Sequence, residues 1–298
     1  MKENRRKQPG NDVNQKSQEN ADILQNLPRF FAHVSQALDR RNQHAQHFAK
    51  ALSDPAIGSA VLFLLSENNT GEKASLGPSL VLNRRSIKVK QHGDLCCPGG
   101  GIAPGLDSIF SKVLYLPFSP LTRWPYWLVW RKQRPREARR MALFLATALR
   151  ESFEEMHLNP LRVKFLGPLP SQNLVMFHRV IFPMVGWVQN QKKFAPNWEV
   201  EKVVHIPLRD LLSPHAYARY RLRIRTSPGS DAIPFVEDHL CFRAVDGRGT
   251  DILWGATFQI TMVFLEIIFG FKPPPIESLP LFRRTIDESY LTGIPCGE

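Results

Sequence analysis

Cysteine is scarce in this 298-residue chain, and the four present, Cys96, Cys97, Cys241 and Cys296, show no paired C-x-x-C spacing. That argues against a zinc ribbon and against a disulfide framework. Adjacent Cys96 and Cys97 would face opposite sides of a strand, so free thiols in a reducing compartment are the expectation. The first twenty residues lack an apolar core segment, no secretory signal is visible there, and a cytoplasmic address is expected. Acid is also in short supply, with 27 Asp and Glu against 39 Lys and Arg and a formal charge of +12. Such a balance favours polyanionic partners: phosphorylated metabolites, nucleic acid or an anionic membrane surface. No internal repeat is evident. Long apolar runs are nearly missing, and only 252–271 approaches a membrane span. Gln259 and Glu266 interrupt it, and a charge within a span is costly, so a buried amphipathic helix is preferred.

The apolar share, 43%, is ordinary for a globular protein and sufficient for a sizeable core. Residues 1–20 read as a disordered tail, because they are polar and nearly free of large apolar side chains. A helical extension follows over 21–54, with Phe30, Phe31, Val34 and Leu38 at helical spacing. One large domain is expected over 55–270 and a C-terminal tail over 271–298. Strands are expected near 59–65, 79–82, 163–166, 175–188 and 202–206, the first a continuous apolar run and therefore central. Helices are expected from about Pro135 to His157 and from Thr257 to Phe269. Strands interleaved with helices imply an α/β fold, a mixed sheet packed between helices.

The most telling feature is Arg150-Glu151-Ser152-Phe153-Glu154-Glu155. Helical spacing brings Glu151, Glu154 and Glu155 to one side and Leu145, Leu149, Phe153 and Met156 to the other. Three like charges close together repel unless a cation sits among them, and hard divalent ions are what oxygen clusters bind. Taken alone, an E-x-x-E-E is more often a solvated acidic face. Gly99-Gly100-Gly101 marks a turn that needs backbone freedom, and it too is weak evidence by itself.

In combination these residues resemble the Nudix hydrolases, whose box has the order G-x5-E-x7-R-E-U-x-E-E-x-G-U, with U a bulky aliphatic residue. The second half reads Arg150 to Leu158; the first looks like Gly101, five residues, then Asp107 in place of the first glutamate. Between Asp107 and Arg150 lie 42 residues instead of seven, which implies an insertion from roughly Ser108 to Ala142 within the box. Ser152 stands at an aliphatic position and His157 where the family has glycine; His tolerates the left-handed conformation of a helix C-terminus better than most residues. The flanks resemble the coenzyme A pyrophosphatase branch. Val81-Leu82-Asn83-Arg84-Arg85-Ser86, His92-Gly93-Asp94 and Cys97-Pro98-Gly99-Gly100 look like its L-L-T-x-R-S, H-x-G-Q and F-P-G-G signatures. Leu166-Gly167-Pro168-Leu169, Phe182-Pro183-Met184-Val185, Asn197-Trp198-Glu199-Val200, Ile206-Pro207-Leu208 and Leu253-Trp254-Gly255-Ala256-Thr257 follow in order.

The resemblance implies a Nudix α/β/α sandwich with an N-terminal helical extension, and a metal-dependent hydrolase of the diphosphate linkage in coenzyme A or acyl-coenzyme A. Another nucleoside diphosphate derivative, such as ADP-ribose, NADH or a dinucleotide, is the alternative substrate. A ligand-sensing module without turnover is the non-enzymatic alternative. By resemblance Glu151, Glu154 and Glu155 are the metal ligands, and Arg150 holds a glutamate in place. Magnesium is the natural ion, with manganese as the second choice. Glu199 is a second-rank candidate for metal ligand or base, as readily a surface residue at a strand start. Arg84, Arg85, Lys88, Lys90 and His92 form a cationic stretch that either holds substrate phosphates or is a solvated strand edge. Arg85 matches the branch signature and leads the substrate-binding set, which also takes Arg84, His92, Gly99 and Gly100.

The insertion is unusual in composition. Trp124, Tyr126, Trp127 and Trp130 crowd together just before Arg131, Lys132, Arg134, Arg136, Arg139 and Arg140. Three readings stay open for 114–140: a lid or homodimer contact, a peripheral membrane-surface element, and, least favoured, a single-stranded nucleic-acid platform.

Overall fold

The structure, a computed structural model, describes residues 18–43, 58–67, 77–174, 179–191, 193–224, 236–246, 249–286 and Tyr290. Of the disordered tail expected at 1–20, residues 1–17 lie outside the described residues, as do 44–57 and Cys296, whereas 18–20 are helical. After helical residues 18–25, the elements run α1 (Leu27–Gln43), β1 (Gly58–Glu67), β2 (Pro78–Arg85), β3 (Leu95–Cys96) and β4 (Gly99–Gly101). Next come α2 (Pro104–Val113), α3 (Trp127–Gln133) and α4 (Pro135–Met156). Strands β5 (Val163–Pro168), β6 (Gln172–Leu174), β7 (Arg179–Val188) and β8 (Val200–Pro207) lead into the short α5 (Leu208–Leu211). The chain continues through β9 (Tyr217–Ile224), β10 (Val236–Asp246), β11 (Gly249–Leu253), α6 (Gly255–Phe269) and β12 (Leu281–Ile286).

The first sheet is mixed, in the order β3-β2-β1-β7-β5, with β4 also on β1, β6 on β7 and β8 on β2. Strand β1 is central, as a run apolar on both faces requires. It pairs antiparallel with β2 and β4 and parallel with β7, from Gly58 opposite Val180 to Leu65 opposite Trp187. Alternation divides its side chains between two cores. Ala60, Leu62 and Leu64 face the helix α4, packing with Leu145, Leu149 and Met156, while Phe63 and Leu65 pack with α1 and α6 through Val34, Leu38 and Phe264. The result is an α/β fold, a mixed sheet between helices. A second sheet, β11-β10-β9-β12, is added beside it.

Helix α4 begins with Pro135 at its first turn, where the missing N–H would be an orphan in any case. It ends at His157, which takes the left-handed conformation (φ 53°) and donates its backbone N–H to the Phe153 and Ser152 carbonyls. The apolar face differs from the expectation in one detail. Phe153 is 52% exposed, whereas Ser152 is buried, because its Oγ donates to the Ala148 carbonyl at 2.6 Å and so satisfies its one donor.

The span 252–271 is divided between β11 and α6, in keeping with the helix expected there in preference to a membrane span, and among the described residues no helix is long and apolar enough to cross a membrane. Two expectations need correction. The chain after 270 does not simply trail away: β12 pairs in parallel with β9, and Tyr290 is buried. Within the insertion, Trp124, Trp127 and Trp130 are buried and unavailable for stacking on bases or seating in a lipid interface. Trp124 donates through Nε1 to the Leu166 carbonyl at 3.1 Å, Trp130 to Asp39 Oδ1 at 2.8 Å, and both rings meet edge on. These tryptophans fasten the insertion to α1 and β5 by burying aromatic area while pairing their polar tips. Trp124→Ala should therefore cost about 3–5 kcal/mol of stability. Chemical denaturation measures it, and a loss below about 1 kcal/mol would remove the insertion from the core.

Candidate active site

The insertion leaves the two halves of the box in contact. Asp107 sits at the inner side of α2, fully buried, and accepts from Arg150 Nε at 2.7 Å, Thr147 Oγ1 at 2.8 Å and the Ala103 backbone N–H at 2.7 Å. Arg150 also donates through Nη2 to the Gly101 carbonyl at 3.2 Å and to Glu151 at 2.8 Å, and through Nη1 to Glu154 at 3.0 and 3.1 Å. A guanidinium can serve so many acceptors because its five donors lie in a rigid fork. Burial opposes its charge, but the hydrogen bonds to Asp107 and Glu154 prevail and raise its pKa further.

Glu155 is held separately. Asn83, buried on β2, donates from Nδ2 to Glu155 Oε2 at 2.8 Å, and the Gly99 backbone N–H bonds to it as well. Burial, opposed by the Asn83 bond and reinforced by the charges of Glu151 and Glu199, pushes Glu155 up to about 7. Burial likewise raises Glu151, with Arg150 opposing. Glu199 enters through the loop before β8, where its carbonyl accepts from the Ser86 N–H at 2.8 Å, and it lies near enough to Glu155 to be felt. Glu151 and Glu154 thus share Arg150, while Glu155, with Glu199 near it, is held apart by Asn83.

The glycines there are required by space. A Cβ on Gly99, at φ +150°, would lie 2.4 Å from the Ala60 carbonyl oxygen. One on Gly100 would lie 2.6 to 2.7 Å from the Glu151 carboxyl group. Bare backbone is required at Gly99 for the turn to approach β1, and at Gly100 it leaves the Glu151 carboxylate in place.

The basic residues divide. Arg84 is engaged by Glu201 and by Asp251 at 3.2 Å, and Lys202 meets Asp251 at 2.8 Å. Arg85 donates from Nε to the Lys90 carbonyl at 2.7 Å, and its charge is felt by the Asp94 carboxyl group. His92 packs edge on against Tyr290, 5.7 Å between centroids. Two residues escaped sequence reading, Arg284 and Tyr290: Asp94 accepts from the Tyr290 hydroxyl and lies 3.5 Å from Arg284 Nη1, which fixes both against the His92-Gly93-Asp94 loop. Nothing in the local pattern of 284–290 announces this, because the partners are nearly two hundred residues away. Asn83, too, reads as an ordinary strand residue until β2 is placed opposite α4. Burial pushes the Cys96 thiol up to about 12 and Cys97 higher, so neither is a thiolate at neutral pH.

Among the described residues no group of three His, Cys, Asp or Glu side chains is gathered closely enough to hold an ion as placed. Glu151 and Glu154 are turned onto Arg150 and Glu155 onto Asn83. The donor chemistry nevertheless suits magnesium, which takes oxygen ligands, needs only one or two carboxylates and keeps its waters.

No family model matches the chain. Solved structures to which it is similar include a NUDIX hydrolase from Alicyclobacillus acidocaldarius (16% identity, 54% of this chain and 83% of that one, TM-score 0.35). A C. elegans Ap4A hydrolase binary complex follows at 12% identity, 52% and 83% coverage and TM-score 0.32. The NUDIX domain of Shewanella oneidensis NrtR complexed with ADP ribose is similar at 14% identity, 57% and 86% coverage and TM-score 0.31. At scores this low, the reading of the site rests on its own residues.

Removing one partner of a buried ion pair leaves an uncompensated charge. Asp107→Ala should therefore cost about 3–5 kcal/mol in denaturant unfolding. By contrast Glu154→Ala, at a half-exposed pair, should cost less than about 1 kcal/mol. Equal losses would show that Asp107 does not organise Arg150.

Proposed function

We propose that this chain is a magnesium-dependent hydrolase of the diphosphate linkage in coenzyme A or an acyl derivative, releasing adenosine 3′,5′-bisphosphate and a 4′-phosphopantetheine product. The observation that carries the reading is the fourfold grip of Arg150 on Asp107, Gly101, Glu151 and Glu154, which sets three carboxylates against a glycine turn open to the backbone. Hydrolysis adds water across one P–O bond of the bridge, and the water must lose a proton while negative oxygens crowd its approach. Glu151, Glu154 and Glu155 would hold the ion, which supplies charge neutralisation and lowers the pKa of bound water. Arg150 positions Glu151 and Glu154; Asn83 and the Gly99 N–H position Glu155. Glu199, beside Glu155, is the candidate to orient or deprotonate the attacking water. Gly99 and Gly100 would admit the diphosphate. Arg85, which matches the branch signature and makes no close ion pair like that of Arg84, is the first choice for the substrate's phosphates; Arg84 and His92 line the same loop but are already partnered.

The test is purified protein with magnesium against coenzyme A, ADP-ribose, NADH and diadenosine polyphosphates, with products identified by mass. Coenzyme A cleaved in preference supports the reading; preference for another member reassigns the substrate, and turnover of none points to a sensing module. Two variants refine it. Glu155→Gln should lower kcat by at least about 10–100-fold, the loss typical even of residues that only support a metal ligand. Arg85→Ala should raise KM for coenzyme A more than for its analogue lacking the 3′-phosphate. Equal rises would mean that Arg85 does not read that phosphate.

A further inference from the structure

Helix α2 is built inside out. Its one buried side chain is the acid Asp107, whereas Leu106, Ile109, Phe110 and Val113, spaced to form a single stripe, are all exposed. The stripe continues past the helix into Leu116 and Phe118, the latter 85% exposed. On α3, Leu128, 72% exposed, and Val129 are exposed as well. Of the fourteen exposed large hydrophobic side chains among the described residues, these eight fall between 106 and 129. A soluble surface scatters such residues singly; a concentration of them marks an interaction site.

The charge around this apolar surface has one sign. Between 104 and 140 the sequence holds eight Lys and Arg but only two acids, Asp107, which is buried, and Glu137, which lies 3.9 Å from Arg134. Lys112, Arg131, Lys132, Arg136 and Arg139 are exposed. The basic groups reach the end of the stripe: Tyr115, just after α2, packs edge on against Trp127 at 5.1 Å, and Arg131 and Arg139 lie near enough to pull down a hydroxyl pKa that burial raises.

We propose that α2, the turn after it and the outer side of α3 form a docking surface for an anionic lipid bilayer, with the apolar stripe entering the interface and the arginines and lysines meeting the headgroups. Apolar burial and attraction to anionic lipid act together in such elements, and neither suffices alone. A second copy of the chain fits the surface less well. The common twofold dimer sets a patch against itself, which would bring basic fringe against basic fringe. The buried tryptophans do not contribute; they hold the element rigid from beneath. Because Asp107 projects from the inner side of the same helix to Arg150, the bilayer would lie one helix away from the carboxylates. That placement suits a substrate that itself carries an acyl chain.

Sedimentation of the full chain with vesicles tests the proposal independently of catalysis. The protein should pellet with phosphatidylcholine–phosphatidylserine vesicles, fail to pellet with phosphatidylcholine alone, and be released by added salt. Ile109→Asp with Phe110→Asp should weaken pelleting roughly tenfold or more. Arg131→Glu with Lys132→Glu should weaken it on anionic vesicles while leaving circular dichroism unchanged, which keeps the test informative should the first variant misfold. Pelleting with neither vesicle would overturn the proposal, as would pelleting that neither pair of substitutions affects. So would a concentration-dependent dimer, seen by sedimentation equilibrium, that the Ile109 and Phe110 substitutions abolish, since that would identify a second copy as the occupant.

Discussion

A single guanidinium joins the parts of this site that the sequence separates. Arg150 is only 10% exposed and takes Asp107, Glu151 and Glu154 as partners along with the Gly101 carbonyl. Two charges removed from water are stabilised only if their remaining donors and acceptors are also paired, and Asp107 meets that condition through Thr147 and the Ala103 N–H. The pair fixes α2 to α4 and fixes the glycine turn to both. If it fails, the carboxylates lose their common frame before any substrate is involved.

The second frame is the β2–α4 contact. Asn83 holds Glu155 from the sheet side, while the β4 turn lies so close to Glu151 that a Cβ on Gly100 would displace its carboxylate. Glu155 is consequently a buried carboxyl among other acids, with a proton affinity far above that of a solvated glutamate. Acids crowded this way store repulsion that a bound cation would relieve. The binding side is built from more distant pieces. The chain end returns through β12 and Tyr290 to brace the loop containing Asp94, next to Arg84 and Arg85.

The insertion illustrates how composition misleads when burial is unknown. Trp124, Trp127 and Trp130 beside an arginine run read as an interface element, yet the rings turn inward to α1 and β5. The outward residues are instead the aliphatic and phenylalanine side chains of α2 and its following turn, which sequence reading had not separated from the rest. Phe153 and Ser152 show the same effect within one helix turn. Their relative burial depends on which side of α4 meets the sheet, and the period alone leaves that choice open by one residue.

Local pattern was enough for the elements themselves. The apolar run of β1 demanded a central strand, the spacing of Leu145, Leu149 and Met156 set the buried side of α4, and His157 marked its left-handed end. Helical spacing also put Glu151, Glu154 and Glu155 within reach of one another along α4, because residues three and four apart are neighbours on a helix. Tertiary structure alone decided what surrounds those carboxylates, namely Asp107 on Arg150 across the insertion, Asn83 across the sheet and Glu199 from the loop before β8, and it alone brought Tyr290 and Arg284 to Asp94. Such contacts join residues tens to hundreds of positions apart, and they arise from the packing of whole elements, which no local periodicity records.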